Sequence, residues 1–493
     1  MKRTWPRALP ALPGVLAVLF VLALAGLAAP AVALAHGIVG RADLPIPVWL
    51  FSWSAAIVLV VSFVALSTLW RTPRLQSQHR RRLVHLPRAL EWLASAVGLG
   101  LFALVLYSGF AGAQVTQANF SVTFIYVIFW VGLPVASVLF GDVFRALSPW
   151  RTCARLLVAA SNLLRARPRP GAGGPREPHR APLRYPARLG MWPAVAVIVG
   201  FAWLELVYVP ADRDHPATLA VLSLAYLLVS VAGMLAFGVE RWGANADGFG
   251  AYFSLLARLS AICRDEQGYI CLRRPLSALA SMPVGPGTIA LICAVIGTTT
   301  FDGFSNGGVW RNAEPSLQEL VAGLGLNPTP AIELTYSLGL LFCLALVAGV
   351  YRLGIAGVRG VSSRYQTPEL MRAFAHTLVP IGFAYVLAHY FSLLIWQGQA
   401  IGYLASDPLG NGTDLFGTSG YQIDYTIISF AAIWYVQVAA LVAGHVGALT
   451  LAHDRALVLY RDPEEAVRSQ YWMLAVMVAF TSFGLWLLSA VGT

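Results

Sequence analysis

The chain has 493 residues, 58% of them hydrophobic and only 12% charged, with a mean hydropathy of +0.67. Soluble domains run at roughly 45–50% apolar and about 25% charged, so a set of two or three soluble domains is excluded and lipid is the expected solvent. A net charge of +11 would suit nucleic-acid binding in a soluble protein, but the arginine positions assign it to membrane topology, and no nucleic-acid partner is expected.

Residues 1–35 open with Lys2-Arg3, continue through an apolar run from Val15 to Leu27, and end on Ala33-Leu34-Ala35. This order of basic, apolar and A-x-A segments reads as a signal peptide. Cleavage after Ala35 makes His36 the new N-terminus; an uncleaved signal anchor is the alternative. Apolar stretches long enough to cross about 30 Å of hydrocarbon follow near 47–70, 90–111, 120–140, 190–209 and 217–237. Five more fall near 285–304, 330–351, 374–396, 426–451 and 470–491. The fold class expected is all-α: a polytopic integral membrane helical bundle of about ten transmembrane helices, with residues 36–493 forming one membrane domain. The Arg/Pro/Gly-rich stretch near 165–188 reads as a disordered cytoplasmic linker. Stretches 143–162, 249–262 and 315–325 are expected at the membrane surface.

All the basic residues except Lys2 are arginines, a bias that fits a GC-rich bacterial genome. With His36 outside, the loops at 71–88, 142–189, 238–284, 352–373 and 453–469 are cytoplasmic and hold 6, 10, 5, 4 and 3 arginines. The outer segments hold only Arg41, Arg213 and Arg311. Basic residues concentrate in cytoplasmic loops, so the pattern predicts a bacterial plasma-membrane protein with the mature N-terminus and the C-terminus extracytoplasmic. The lipid bilayer and a small-molecule ligand or substrate are the expected partners.

Ionisable groups at membrane depth are costly and mark functional sites by default. Glu205, Asp302 and His389 fall at the outer ends or halves of their spans, and are expected to line one outward-facing pocket as acid, base or metal ligands. Gln397, Trp434 and Gln437 share that side. His36, with its freed α-amine, is a candidate ligand for copper or another divalent metal ion. His376 and His445 are expected at similar depth on neighbouring spans, an arrangement suited to a bis-imidazole haem or a metal. Capping and packing roles are the structural alternatives for each. The cysteines, Cys153, Cys263, Cys271, Cys293 and Cys343, show no C-x-x-C spacing and are expected as thiols. No phosphate loop, H-E-x-x-H or G-x-S-x-G motif occurs.

The stretch from Ala35, AHGIVGRADLPIPVWLFSWSAAIVLVVSFVALSTLWRTPRL, together with GDVFRALSPW (141–150), TTTFDGF (298–304), HTLVPIGFAYVLAHYFSLL (376–394) and WYVQVAALVAGHVGALTLAHDRAL (434–457), resembles a bacterial multi-pass membrane family labelled fenitrothion hydrolase. The resemblance covers nearly all of the mature chain and implies organophosphate triester hydrolysis by a membrane-bound enzyme. It assigns no residue a role. A transporter or permease for a small solute or metal ion, and a haem or copper redox protein, are the alternative readings of the same residues.

Overall fold

A computed structural model describes residues 48–77, 79–166, 181–209, 214–361, 364–460 and 462–490. The expected signal peptide, His36 and most of the expected linker lie outside the described residues. The described residues are three-quarters helical. Every expected span coincides with a helix, and eight helices among the described residues are long and apolar enough to cross a membrane. The other two expected positions are filled by the shorter apolar helix Trp192–Leu206 and by Pro463–Ala490. Pro328–Val361 runs for 34 residues, well past the stretch read from hydropathy, because its Arg352 and Arg359 turns continue the helix beyond the apolar run.

The chain divides into two compact units. The first contains 299–389, 428–493 and the residues up to Arg74. Within it, Val48–Leu69, Pro328–Val361 and Phe430–Leu459 all pack on Pro463–Ala490. Glycines set the closest approaches, as expected where lipid gives no hydrophobic push and packing relies on small residues. A Cβ on Gly444 would overlap Ala384 and lie 2.7 Å from the Pro380 carbonyl oxygen, and one on Gly484 would meet the Tyr385 phenol.

The second unit contains 75–298 and 390–427. Arg88–Ala111 and Pro149–Ala166 pack on Pro216–Phe237, and Trp192–Leu206 packs on Gly248–Leu256. Gly141 and Gly238, at φ of +86° and +92°, end two of its spans in the conformation that L residues resist. The span Phe120–Phe140 carries a nine-residue π-helix, Phe124–Gly132. Such wide turns are rare and gather at functional sites. The surface stretches expected from sequence form Phe144–Leu147 with Pro149–Ala166, Gly248–Leu256, and Gly308–Ala322.

One element departs from the all-helical expectation. β1 (Arg80–His85), β2 (Ile262–Arg264) and β3 (Tyr269–Arg273) form an antiparallel sheet in the order β1-β3-β2. Three arginines at the start of β1 read locally as a basic loop, and their pairing partner lies far along the chain. Arg82 pairs with Asp265 at 2.7 Å and stacks on Tyr269.

Candidate functional site

Asp302 and His389 come together in the first unit. Asp302 lies in the last turn of Thr288–Ser305, and His389 lies in the helix Leu378–Trp396. His389 Nε2 stands 2.9 Å from Asp302 Oδ2, with the two side chains only 8% and 13% exposed. Asn306 donates to the Asp302 carbonyl at 2.8 Å, which holds the helix end in place. A cavity of about 20 Å³ adjoins the pair, lined by Thr299, Gly303, Tyr385, Ala388, His389, Leu441 and Gly484. That is room for about one water. A carboxylate hydrogen-bonded to an imidazole beside a water-sized space can hold, accept and release a proton.

The helix Phe430–Leu459 carries the remaining polar groups of this unit on its buried side. His445 is fully buried, and its Nδ1 donates to the Leu441 carbonyl at 2.7 Å. Its Nε2, both amide atoms of Gln437 and the Trp434 indole nitrogen are buried with no hydrogen-bond partner among the described residues. Further along, His453 Nε2 donates to the Trp70 carbonyl at 2.9 Å and its Nδ1 faces Gln470. Asp454 accepts from the Trp70 indole at 3.1 Å and the Arg74 backbone at 2.5 Å. Gln437 to His453 spans about 24 Å at 1.5 Å per residue.

The other candidates lie on other elements. Glu205 is half-buried in the last turn of Trp192–Leu206, in the second unit. Gln397 also belongs to the second unit and donates to the Tyr425 hydroxyl. His376 is buried on the short turn Ala375–Thr377. His445 lies near Tyr385 and Phe480, its ring tilted against theirs with centroids 6.3 and 6.5 Å away. Tyr385 is nine positions beyond His376, about 13 Å along the helix. The turn that bears His376 packs against Phe430–Leu459, the helix of His445, on which Gly444 meets Pro380 and Ala384.

Metal ligation can be tested on the donors themselves. No group of three His, Cys, Asp or Glu gathers among the described residues. Asp302 and His389 supply two donors, one short of the three protein ligands of a catalytic zinc site, and the candidate ligand His36 lies outside the described residues.

A second constellation was not anticipated from sequence. Asp247 in the second unit is 3% exposed and accepts from the Trp150 indole at 2.6 Å, the Tyr226 hydroxyl at 2.7 Å and the Gly250 amide at 3.1 Å. Burial pushes its carboxyl above the usual range, against the pull of the Trp150 and Tyr226 hydrogen bonds. The legible signal was Asp247-Gly248-Phe249-Gly250: a helix-capping aspartate followed by glycines where a Cβ would strike Val197 or Asp247 itself. Alongside, Arg151 is ion-paired with Glu240, which also takes Arg145 at 3.0 Å.

No family model, curated protein or solved structure matches the chain.

Proposed function

We propose that the protein is a ten-span plasma-membrane permease for a small solute, with both mature ends outside, and that Asp302 and His389 form its proton-exchanging site. The observation that carries this reading is the 2.9 Å contact between a carboxylate and an imidazole inside helices of membrane-crossing length. Chains of Asp, Glu and His at such depth mark proton relays in transporters, since their burial costs too much to persist without a role. Gln437 and His445, buried with free hydrogen-bonding atoms on a neighbouring helix, supply further polar stations.

Triester hydrolysis is the second reading, favoured by the family resemblance and by the pair's fitness as a general base. The cavity beside it takes a water but not a triester, so that chemistry requires the site to open. One preparation tests both. The full chain is reconstituted in vesicles containing a pH-sensitive dye, a pH gradient is imposed, and proton flux is followed while small solutes are added. Solute-dependent flux abolished in Asp302→Asn and His389→Gln supports the permease. Flux equal to that of empty vesicles, with nitrophenol released from a dialkyl nitrophenyl phosphate, transfers the pair to hydrolysis. Neither signal would refute both.

A further inference from the structure

The second unit contains a cavity of about 480 Å³ that the proton site does not use. It is walled by helices Arg88–Ala111, Trp192–Leu206 and Pro216–Phe237, by the π-helix Phe124–Gly132, and by Trp150 and Phe249. We propose that this cavity is a binding site for a single uncharged lipophile, a fatty or aromatic molecule that reaches it from the bilayer.

Three observations carry the assignment. The size falls within the range of small-molecule sites, about 300–1,000 Å³, far above the packing voids of a folded interior. The wall is apolar almost throughout; its indole and phenol are already engaged, since Trp150 and Tyr226 both donate to Asp247, and Ser223 adds a single hydroxyl. With no charged group on the wall and no indole or phenol donor left over, an ion or a sugar would lose its hydration without replacement, whereas an apolar molecule gains the contacts a dry cavity lacks.

The third observation is Gly200. Glycine inside a helix costs about 0.5–1 kcal/mol relative to alanine. That cost is usually offset by a close approach, as at Gly98, where a Cβ would strike Leu147. At Gly200 a Cβ would meet nothing within 4 Å. The missing side chain therefore leaves space in the cavity rather than admitting another helix. The π-helix supplies another part of the wall, and the Asp247 hydrogen bonds hold the Trp150 and Tyr226 rings in place. Phe129, Trp150, Tyr226 and Phe249 already contact one another edge-to-face, the geometry aromatic faces prefer, so the ring wall keeps its shape without a ligand.

The proposal stands on the second unit alone and holds whether or not the protein moves protons. It is tested on the full chain in lipid nanodiscs with a diazirine-bearing fatty alcohol as probe and peptide mapping after illumination. Crosslinks are expected in 101–105, 124–129 and 219–226, competed by excess unlabelled alcohol. Gly200→Phe, whose Cβ meets nothing within 4 Å and whose ring takes up cavity space, should lower them roughly tenfold, while Gly200→Ala leaves them nearly unchanged and reports that substitution alone does not unfold the unit. Crosslinks spread evenly over lipid-facing positions such as Val60 and Leu341, and indifferent to Gly200→Phe, overturn the proposal. So does a phospholipid retained at one per chain that unlabelled alcohol cannot displace, because the cavity then belongs to structural lipid.

Discussion

Gly444→Ala should loosen the first unit at the level of the proton site. The added Cβ would overlap the Ala384 Cβ and lie 2.7 Å from the Pro380 carbonyl oxygen. Carbon–oxygen contacts settle at about 3.3–3.6 Å, so Leu378–Trp396 and Phe430–Leu459 must part by close to 1 Å. Neither obstacle is the swinging tip of a side chain. Overpacking of this kind costs about 1–3 kcal/mol, and the gain in helix propensity returns about 0.5–1 kcal/mol, leaving a net loss of about 1–2 kcal/mol. Gly349→Ala in Pro328–Val361 is the control, because a Cβ there meets nothing within 4 Å; it should stabilise by the propensity gain alone. Thermal unfolding in detergent, read by the reactivity of the buried Cys343 thiol with the other cysteines replaced by serine, compares the two. Equal stability of Gly444→Ala and Gly349→Ala would show that the close approach does not hold the helices, and the packing argument would fall.

Asp247→Ala strands three donors, and with buried unpaired groups costing about 1–3 kcal/mol each the loss should reach at least about 3 kcal/mol; Asp247→Asn, which keeps an acceptor, should lose visibly less in the same unfolding assay. The loop after Ser406 should weaken in acid. Hydrogen bonds from the Ser406 hydroxyl and the Ser419 amide hold the Asp414 carboxyl below its ordinary range, and the Thr426 hydroxyl and amide do the same for Asp424. A folded pKa below the unfolded one contributes stability above the ordinary aspartate value of about 3.9, and that stability is lost as pH falls through the depressed values. Proteolysis of residues 407–427 should therefore stay constant from neutral to mildly acid pH and rise only below about pH 4. Ser406→Ala should move the onset upward, and an onset unchanged by that substitution would remove the Ser406 hydrogen bond as its cause.

Hydropathy located the helices because each span must satisfy its backbone internally and present apolar side chains to lipid, a demand visible residue by residue. It missed the β-sheet, whose first strand pairs with one nearly two hundred residues later, and it missed the π-helix, which differs from its flanks in hydrogen-bond register rather than composition. Asp302 and His389 were legible as ionisable residues in apolar stretches, and they stand 2.9 Å apart. Glu205 was equally legible by composition but belongs to the second unit, since depth alone says nothing of which helices share a unit. The cavity beside Gly200 was not legible at all: a glycine that leaves space and one that admits a neighbour look alike in sequence.

The polar residues of Phe430–Leu459 divide by how completely they are partnered, and that division separates structure from function. His453 and Asp454 tie this helix to Trp70, Arg74 and Gln470, which fixes the end of Val48–Leu69. Buried polar groups so satisfied rigidify a fold, and deleting one leaves its partners stranded. Asp302 and His389 hold each other beside a water-sized space, so a group that keeps the hydrogen bond while removing the exchangeable charge should leave the packing intact. His453→Ala is therefore expected to lower stability by about 2–4 kcal/mol, the sum of lost hydrogen bonds and cavity, while whatever protein folds retains normal flux per molecule. Asp302→Asn should do the opposite, unfolding within about 0.5 kcal/mol of the parent while proton flux disappears. Measuring both quantities on both variants decides the matter. If Asp302→Asn destabilises as much as His453→Ala and spares the flux, the buried pair is a packing element and the proton site lies elsewhere.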